Sequence, residues 1–246
     1  MKIRTPRDRY DLLIRRSDRV LEVGCGDNPH PRSNVVVDKF TDHNYHRSGD
    51  LRVLRNQTFI HADGEHLPFR DREFDYLICC QVLEHVENPA RFLAELFRVS
   101  KRGYLETPSL IGERLAPKSS HKWILHEVDG ILYLKDKNTL GFDPGYDLGE
   151  LFQLYLPTHS IGFKLLERTH PNLFTIRIEW ENDLQFVVDP VDHQVLKYFQ
   201  EGWKLEWAEM FFPRQNLWLE FRAASMALFN IIKNVLRSKI FKKNGR

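Results

Sequence analysis

Cysteine is scarce in this chain of 246 residues: Cys25, Cys79 and Cys80 are the only three. They fall at no zinc-ligand spacing, and the adjacent pair sits inside an apolar run, which argues against a disulfide framework or a Cys-rich metal site. A reducing, intracellular compartment is predicted. No apolar run approaches the roughly 20 residues a membrane-spanning helix needs. The opening MKIRTPRDRYDLLIRRSDR lacks the continuous apolar core of a secretory signal. A cytoplasmic protein is the expectation. An excess of one charge is missing too, because the formal net charge is only +2. It is unevenly spread: residues 217–246 hold seven Lys or Arg against one Glu, leaving 29 basic against 33 acidic residues before them. A net negative body argues against nucleic acid as a partner.

The chain is 42% hydrophobic, enough for a full core at this length. One domain over 1–195 with a C-terminal helical, basic extension over 196–246 is expected. Thr5, Pro6 and Asp8 read as the start of a helix over about 6–16. Five short apolar runs then follow: RVLEVG, NVVVDK, TFIHA, FDYLICCQ and RGYLET. The clearest helix between them is NPARFLAELFRVS, with Phe92, Leu93, Leu96 and Phe97 at helical spacing. Continuous apolar strands separated by helices predict a doubly wound, mostly parallel α/β sheet covered on both faces. Residues 107–150, rich in Gly and Pro, read as an inserted lid. LFTIRIEW alternates strictly, and ENDLQFVVDP is expected to return it as an antiparallel edge hairpin.

In an open parallel sheet, ligands bind beyond the carboxyl ends of the strands, and Gly24 and Gly26 follow the first apolar run. A dinucleotide fingerprint needs a third glycine where Pro29 stands, and the next strand-end acid, Asp38, comes too early for it. A nicotinamide cofactor, and with it an oxidoreductase, is disfavoured. A ligand with an amino group, a carboxylate and a ribose but no phosphate fits better.

VLEVGCGDNP resembles the first motif of class I S-adenosylmethionine-dependent methyltransferases. The likeness continues in order through VVVD, FIHADGEHLPFRDREFDYLICCQVLEHVENP and RGYLETPS, nearest to the branch that methylates small molecules. It implies a Rossmann-like fold and S-adenosylmethionine as cofactor. By the same resemblance, Glu22 and the Gly24–Gly26 turn would face the methionine part, and Asp38 the ribose hydroxyls. Asp63, with Gly64 beside it, would face the adenine amine, and Gln81 would line the pocket. Asn28 stands where the family commonly has another glycine, a substitution that left-handed backbone tolerates.

Methyl transfer is an in-line displacement that depends on positioning. A hydroxyl acceptor also needs a base, so His85, in LEHVENP, is the first catalytic candidate and His121, in SSHKWILH, the second. His126 lies in the same stretch. No metal site is expected, because Glu84, His85 and Glu87 on one turn cannot direct three ligands to one ion. Lys122 and Trp123 suggest a polar or sugar-like acceptor against an aromatic face. The expected activity is methylation of a small-molecule, sugar or lipid-linked hydroxyl. The alternative is a cofactor-binding regulatory subunit without turnover. In the tail, Leu217, Phe221, Leu228, Ile231, Ile232 and Val235 recur at helical spacing beside Lys233, Arg237, Lys239, Lys242 and Lys243. This reads as a helix that docks on the domain or rests on an anionic membrane surface.

Overall fold

The computed structural model describes residues 1–243 apart from 46, 48 and 144, with side chains as far as Lys233. Seven strands form the main sheet: β1 (Lys2–Arg4), β2 (Val20–Val23), β3 (Val35–Asp38), β4 (Thr58–His61), β5 (Tyr76–Cys80), β6 (Arg102–Pro108) and β9 (Thr175–Glu181). Their order is β1-β9-β6-β5-β2-β3-β4. Strands β6, β5, β2, β3 and β4 run parallel, and β9 and β1 are antiparallel additions. All five apolar runs of the sequence are therefore strands, and β2 and β3 are buried at every position. The helix after β5 is α1 (Pro89–Val99), capped by Asn88, whose side chain accepts from Arg91 N at 3.0 Å. It buries Phe92, Leu93, Leu96 and Val99 against the sheet.

Several expectations need correction. Among the described residues, the connections from β2 to β3, β3 to β4 and β4 to β5 contain no helix, so helical cover is thinner than a doubly wound sheet suggests. The predicted helix over 6–16 is a chain of turns instead. Its carbonyls are claimed from elsewhere: Arg7 O by Arg177 at 2.8 Å, Leu13 O by Arg102 at 2.6 Å and Asp11 O by Arg4. Asp8 accepts from Tyr10 N and Asp11 N, a turn rather than a helical cap. This segment lies over the face of the sheet opposite α1, where Leu12 and Ile14 pack on Val20, Tyr76, Ile78 and Tyr104.

Part of the expected lid is also core. β7 (Trp123–Val128) and β8 (Ile131–Asp136) form a hairpin through Asp129 and Gly130, both at positive φ. Trp123, Leu125, Leu132 and Leu134 join the main core beside Leu93. The return strand expected beside β9 is β10 (Phe186–Val188), which pairs in parallel with β8 in this second sheet. The outer edge of β9 is already occupied by β1, and Asn182, at φ 68°, turns the chain away.

The helices α2 (Leu110–Leu115), α3 (Lys137–Leu140), α4 (Leu156–His159), α5 (Ile161–Thr169), α6 (His193–Gln200), α7 (Leu205–Phe211) and α8 (Leu217–Lys243) complete the chain. Val195, Phe199 and Trp207 of α6 and α7 pack on Ile124 of the second sheet. α8 rests on α5 and buries Ala227 and Ile231. Leu217, Phe221, Leu228 and Ile232 stay exposed, so its apolar residues do not share one buried stripe. Val235, Arg237, Lys239, Lys242 and Lys243 lie outside the residues whose side chains are described. Among the described residues, no helix is long and apolar enough to cross a membrane.

Candidate functional site

From β2 the chain steps one way to β3 and β4, then crosses to β5 and β6 on the other side. A cavity of about 380 Å³ opens at the carboxyl ends of β2 to β5, where that reversal leaves a crevice. Gly24, Gly26, Asp38, Asp63, Gly64, Gln81 and His85 all line it. Gly24 turns at φ 75°, and a Cβ there would meet Val82 Cγ2 at 2.1 Å. A Cβ on Gly64 would meet the Phe92 ring at 2.4 Å. These glycines let two strand ends close on the cavity without side chains filling it.

Two carboxylates stand on the cavity wall. Asp38 accepts from Gly26 N and Phe40 N, one on each oxygen at 3.0 Å, and Arg47 Nη1 is 3.7 Å away. Asp63 accepts from Glu65 N at 2.9 Å and pairs with Lys39 at 2.7 Å. Burial works to raise the Asp63 pKa, but the hydrogen bonds from Lys39 and Glu65 N hold it below the usual carboxylate range. Gln81, at φ 57°, hangs from Glu106 by its backbone N–H at 2.8 Å and its side-chain amide at 3.3 Å.

Glu22 is not on this wall. It projects from the opposite face of β2 and is saturated by Arg9 at 2.9 Å, His30 N at 2.7 Å and Ser33 Oγ at 2.8 Å. Burial pushes its pKa up against these partners. The period of two that sends Leu21 and Val23 to the α1 side sends Glu22 to the other. Sequence reasoning missed Phe40, His43, Tyr45 and Arg47, which line the cavity from the loop between β3 and β4. Nothing local announces them; the loop is tied to the cavity rim by Arg52 N, which donates to Gly26 O at 3.0 Å, and by Arg47 beside Asp38 at 3.7 Å.

A second cavity of about 370 Å³ shares Gln81 with the first and is lined by Pro108, Lys118, His121, Phe152, Glu167 and Phe174 among others. His85 and His121, from separate segments, meet near the two cavities with ring centroids 4.6 Å apart. His85 Nδ1 is 3.0 Å from Ser120 O, and His121 Nδ1 is 2.5 Å from the buried Glu113 carboxylate. Both Nε2 atoms face Glu84 Oε1, at 3.9 and 4.0 Å. Burial raises the Glu84 pKa to about 7, with the charge of His121 pulling against it.

The aromatic platform expected at Trp123 is absent: its indole donates to Val86 O at 2.9 Å and belongs to the core. Lys122 does line the first cavity and pairs with Glu87. His126 lines neither of these two cavities; it sits among Tyr198, Phe199 and Phe211, where burial lowers its pKa to about 4.

With this geometry in view, residues 21–105, β2 through β6, match a family described as a methyltransferase domain. The chain is 32% identical over 105 residues to a sterol 24-C-methyltransferase of Schizosaccharomyces pombe, a match spanning 38% of this chain and 28% of that protein. It is 52% identical over 86 residues to an uncharacterized protein of Methanocaldococcus jannaschii, covering 35% and 40% of the two chains. With a malonyl-(acyl-carrier protein) O-methyltransferase of Marinomonas it shares 26% over 121 residues, covering 46% and 45%. Each match spans less than half the length of these relatives.

Proposed function

We propose that the chain, whose residues 21–105 match a methyltransferase domain, is an S-adenosylmethionine-dependent methyltransferase that transfers a methyl group to a small acceptor held in the second cavity. The observation that carries the reading is the pair of cavities meeting at Gln81, one at the strand ends and one beside it. Both volumes lie within the range of small-molecule sites, roughly 300–1,000 Å³.

The first cavity fits the donor. A carboxylate offers about four acceptor positions, and Asp38 spends one per oxygen on backbone N–H groups, leaving two for the vicinal hydroxyls of a ribose. Asp63 lines the same wall for an exocyclic amine, and the bare Gly24–Gly26 turn admits a close approach by the amino-acid part. Glu22 acts on that turn from behind, through His30 N and Ser33. The bound cofactor supplies an activated methyl on a sulfonium, so the chain's part is to hold donor and acceptor in line and keep water out.

We assign the acceptor to small molecules, sugars or lipid-linked hydroxyls rather than nucleic acid, in keeping with the size of the second cavity and the acidic body. A hydroxyl there would give its proton to the group of Glu84, His85 and His121. The two named enzymes among the relatives differ in acceptor atom, C in one and O in the other, so the site and not the likeness supports this choice. The same reading places the protein in the cytoplasm, with α8 available to an anionic membrane. Mass spectrometry of the ligand retained through purification, followed by transfer of labelled methyl to hydroxyl, amine and lipid acceptors, tests it. Retention of a nicotinamide dinucleotide, or cofactor binding without transfer to any class, would overturn it.

A further inference from the structure

Glu84 carries an anomaly. Its side chain has no solvent exposure, and Oε2 accepts from Thr107 Oγ1 at 2.9 Å, but Oε1 has no hydrogen-bond partner among the described residues. Leaving a buried carboxylate oxygen unmatched is costly. The groups facing it are His85 Nε2 and His121 Nε2, and 3.9 and 4.0 Å are too long for hydrogen bonds.

The other ring nitrogens explain why neither histidine closes that gap. His85 Nδ1 faces a carbonyl, Ser120 O, and His121 Nδ1 faces a carboxylate, Glu113, so in each neutral ring Nδ1 carries the hydrogen and Nε2 the lone pair. Three potential ligand atoms thus converge, all within 4.8 Å of one another.

We propose that Glu84, His85 and His121 bind a divalent transition-metal ion of the zinc type through Oε1, Nε2 and Nε2. Two histidines and one carboxylate form the donor set of catalytic zinc and non-haem iron sites, in which a coordination position stays open. Tetrahedral zinc would set its ligand atoms roughly 3.3–3.6 Å apart, so binding draws the Glu84–histidine separations of 3.9 and 4.0 Å in by roughly 0.3–0.7 Å. The outer partners already match such a site: ligating imidazoles usually give their second N–H to a carbonyl or carboxylate, as Ser120 O and Glu113 receive them here. The ligands come from two segments, the turn after β5 and the strand entry before β7, and Lys122 N donates to Glu84 O at 2.8 Å to hold them together. Glu87 takes no part, being exposed and paired with Lys122. With His121 in its place, the proposed site departs from the expectation that no metal site exists. The site uses the same three groups that would take the acceptor's proton, so a bound ion would assume that task, but binding of the ion itself needs neither donor nor acceptor.

The test is a titration of the chelator-treated full chain with Co²⁺ followed by visible absorption, then competition with Zn²⁺ and elemental analysis. One equivalent should bind, giving the bands of a nitrogen- and oxygen-ligated ion. Glu84→Gln, which keeps shape, and His121→Ala should each weaken binding more than about 100-fold, and Glu113→Gln, acting only through His121, about 10- to 100-fold. His193→Ala, at an exposed histidine on α6, should change nothing. Far-ultraviolet circular dichroism and calorimetry with S-adenosylmethionine report whether each variant is folded. Binding below stoichiometry, unchanged affinity in folded Glu84→Gln, or a thiolate charge-transfer band would overturn the site. Failure to bind S-adenosylmethionine in a protein that still holds one metal would count against the function proposed above and not against this site.

Discussion

Leu21 and Glu22 are neighbours in β2, and neither is more than 2% exposed. Leu21 meets hydrocarbon on the face that carries α1 and the second sheet. Glu22 meets Arg9, His30 and Ser33 on the face that carries the N-terminal segment. Further along that second face, Glu106 pairs with Arg177 at 3.2 Å, and Glu179 takes Arg4 and the Tyr76 hydroxyl at 2.5 Å each. Carboxylates on this face are joints of the structure, while Asp38 and Asp63, at and beyond strand ends, line the cavity. Position in the sheet, and not residue type, assigns the role.

The comparison breaks first if Glu179 is dispensable. Glu179→Ala strands Arg4, Tyr76 and Leu13 N together and should cost about 3–5 kcal/mol in denaturant unfolding. Leu93→Ala on the apolar face should cost about 2–5 kcal/mol. A loss under about 1 kcal/mol for Glu179→Ala would make the charged face an ordinary solvated surface, where changes stay small.

Acid should sharpen the contrast next. Burial holds His126 at a pKa of about 4 from an ordinary 6.5. Burial, aided by Arg9 and Arg32, does the same to His30 on the charged face. Their folded pKa values are lowered, so as pH falls from about 6.5 toward 4 the unfolded chain takes protons the folded one refuses, and stability drops. At about 1.4 kcal/mol per unit, each histidine accounts for a loss on the order of 3 kcal/mol. Melting temperature against pH should therefore flatten in His126→Phe; an unchanged slope would show that this ring titrates normally.

Asp38 and Glu22 should separate cleanly. Asp38→Ala loses hydrogen bonds to a charged acceptor, about 1.5–3 kcal/mol, and so weakens S-adenosylmethionine roughly 10- to 150-fold. Glu22→Gln should lower stability while the folded protein keeps its affinity. Calorimetry finding the reverse pattern would return Glu22 to the cavity. The smallest effect concerns α8: anionic vesicles should retain the full chain more than one ending at 216, by about 1 kcal/mol for each basic residue near the surface. Equal retention by neutral and anionic vesicles would leave α8 as a docked helix alone.

Strands β2 to β6 and α1 were legible because their apolar patterns are local. The β7–β8 hairpin was legible too, since Asp129–Gly130 between alternating runs is a two-residue turn signal; the surrounding Gly and Pro hid it. The helix over 6–16 failed because Thr5-Pro6 and Asp8 are local signs, whereas Arg102 and Arg177, which claim its carbonyls, are distant in sequence. Asp38 is legible as a strand-end acid, whereas Asp63 and Gln81 are picked out by the family resemblance. The face of Glu22 could not be read, since alternation says that Leu21 and Glu22 diverge but not which side holds the cavity. Nor could the meeting of Glu84 with His121, which depends on how β7 packs beside the turn after β5.

The antiparallel pairing of β1 with β9 sets a timetable for synthesis. Arg4 waits for Glu179, and the carbonyl of Arg7 waits for Arg177. While the ribosome is still short of residue 181, strands β2 to β6 and α1 can already gather on their apolar side. Their charged side lacks part of its cover until β9 emerges, with Tyr76 waiting for Glu179 and Glu106 for Arg177. Such late, sequence-distant closure is slow and exposes the nascent protein to aggregation.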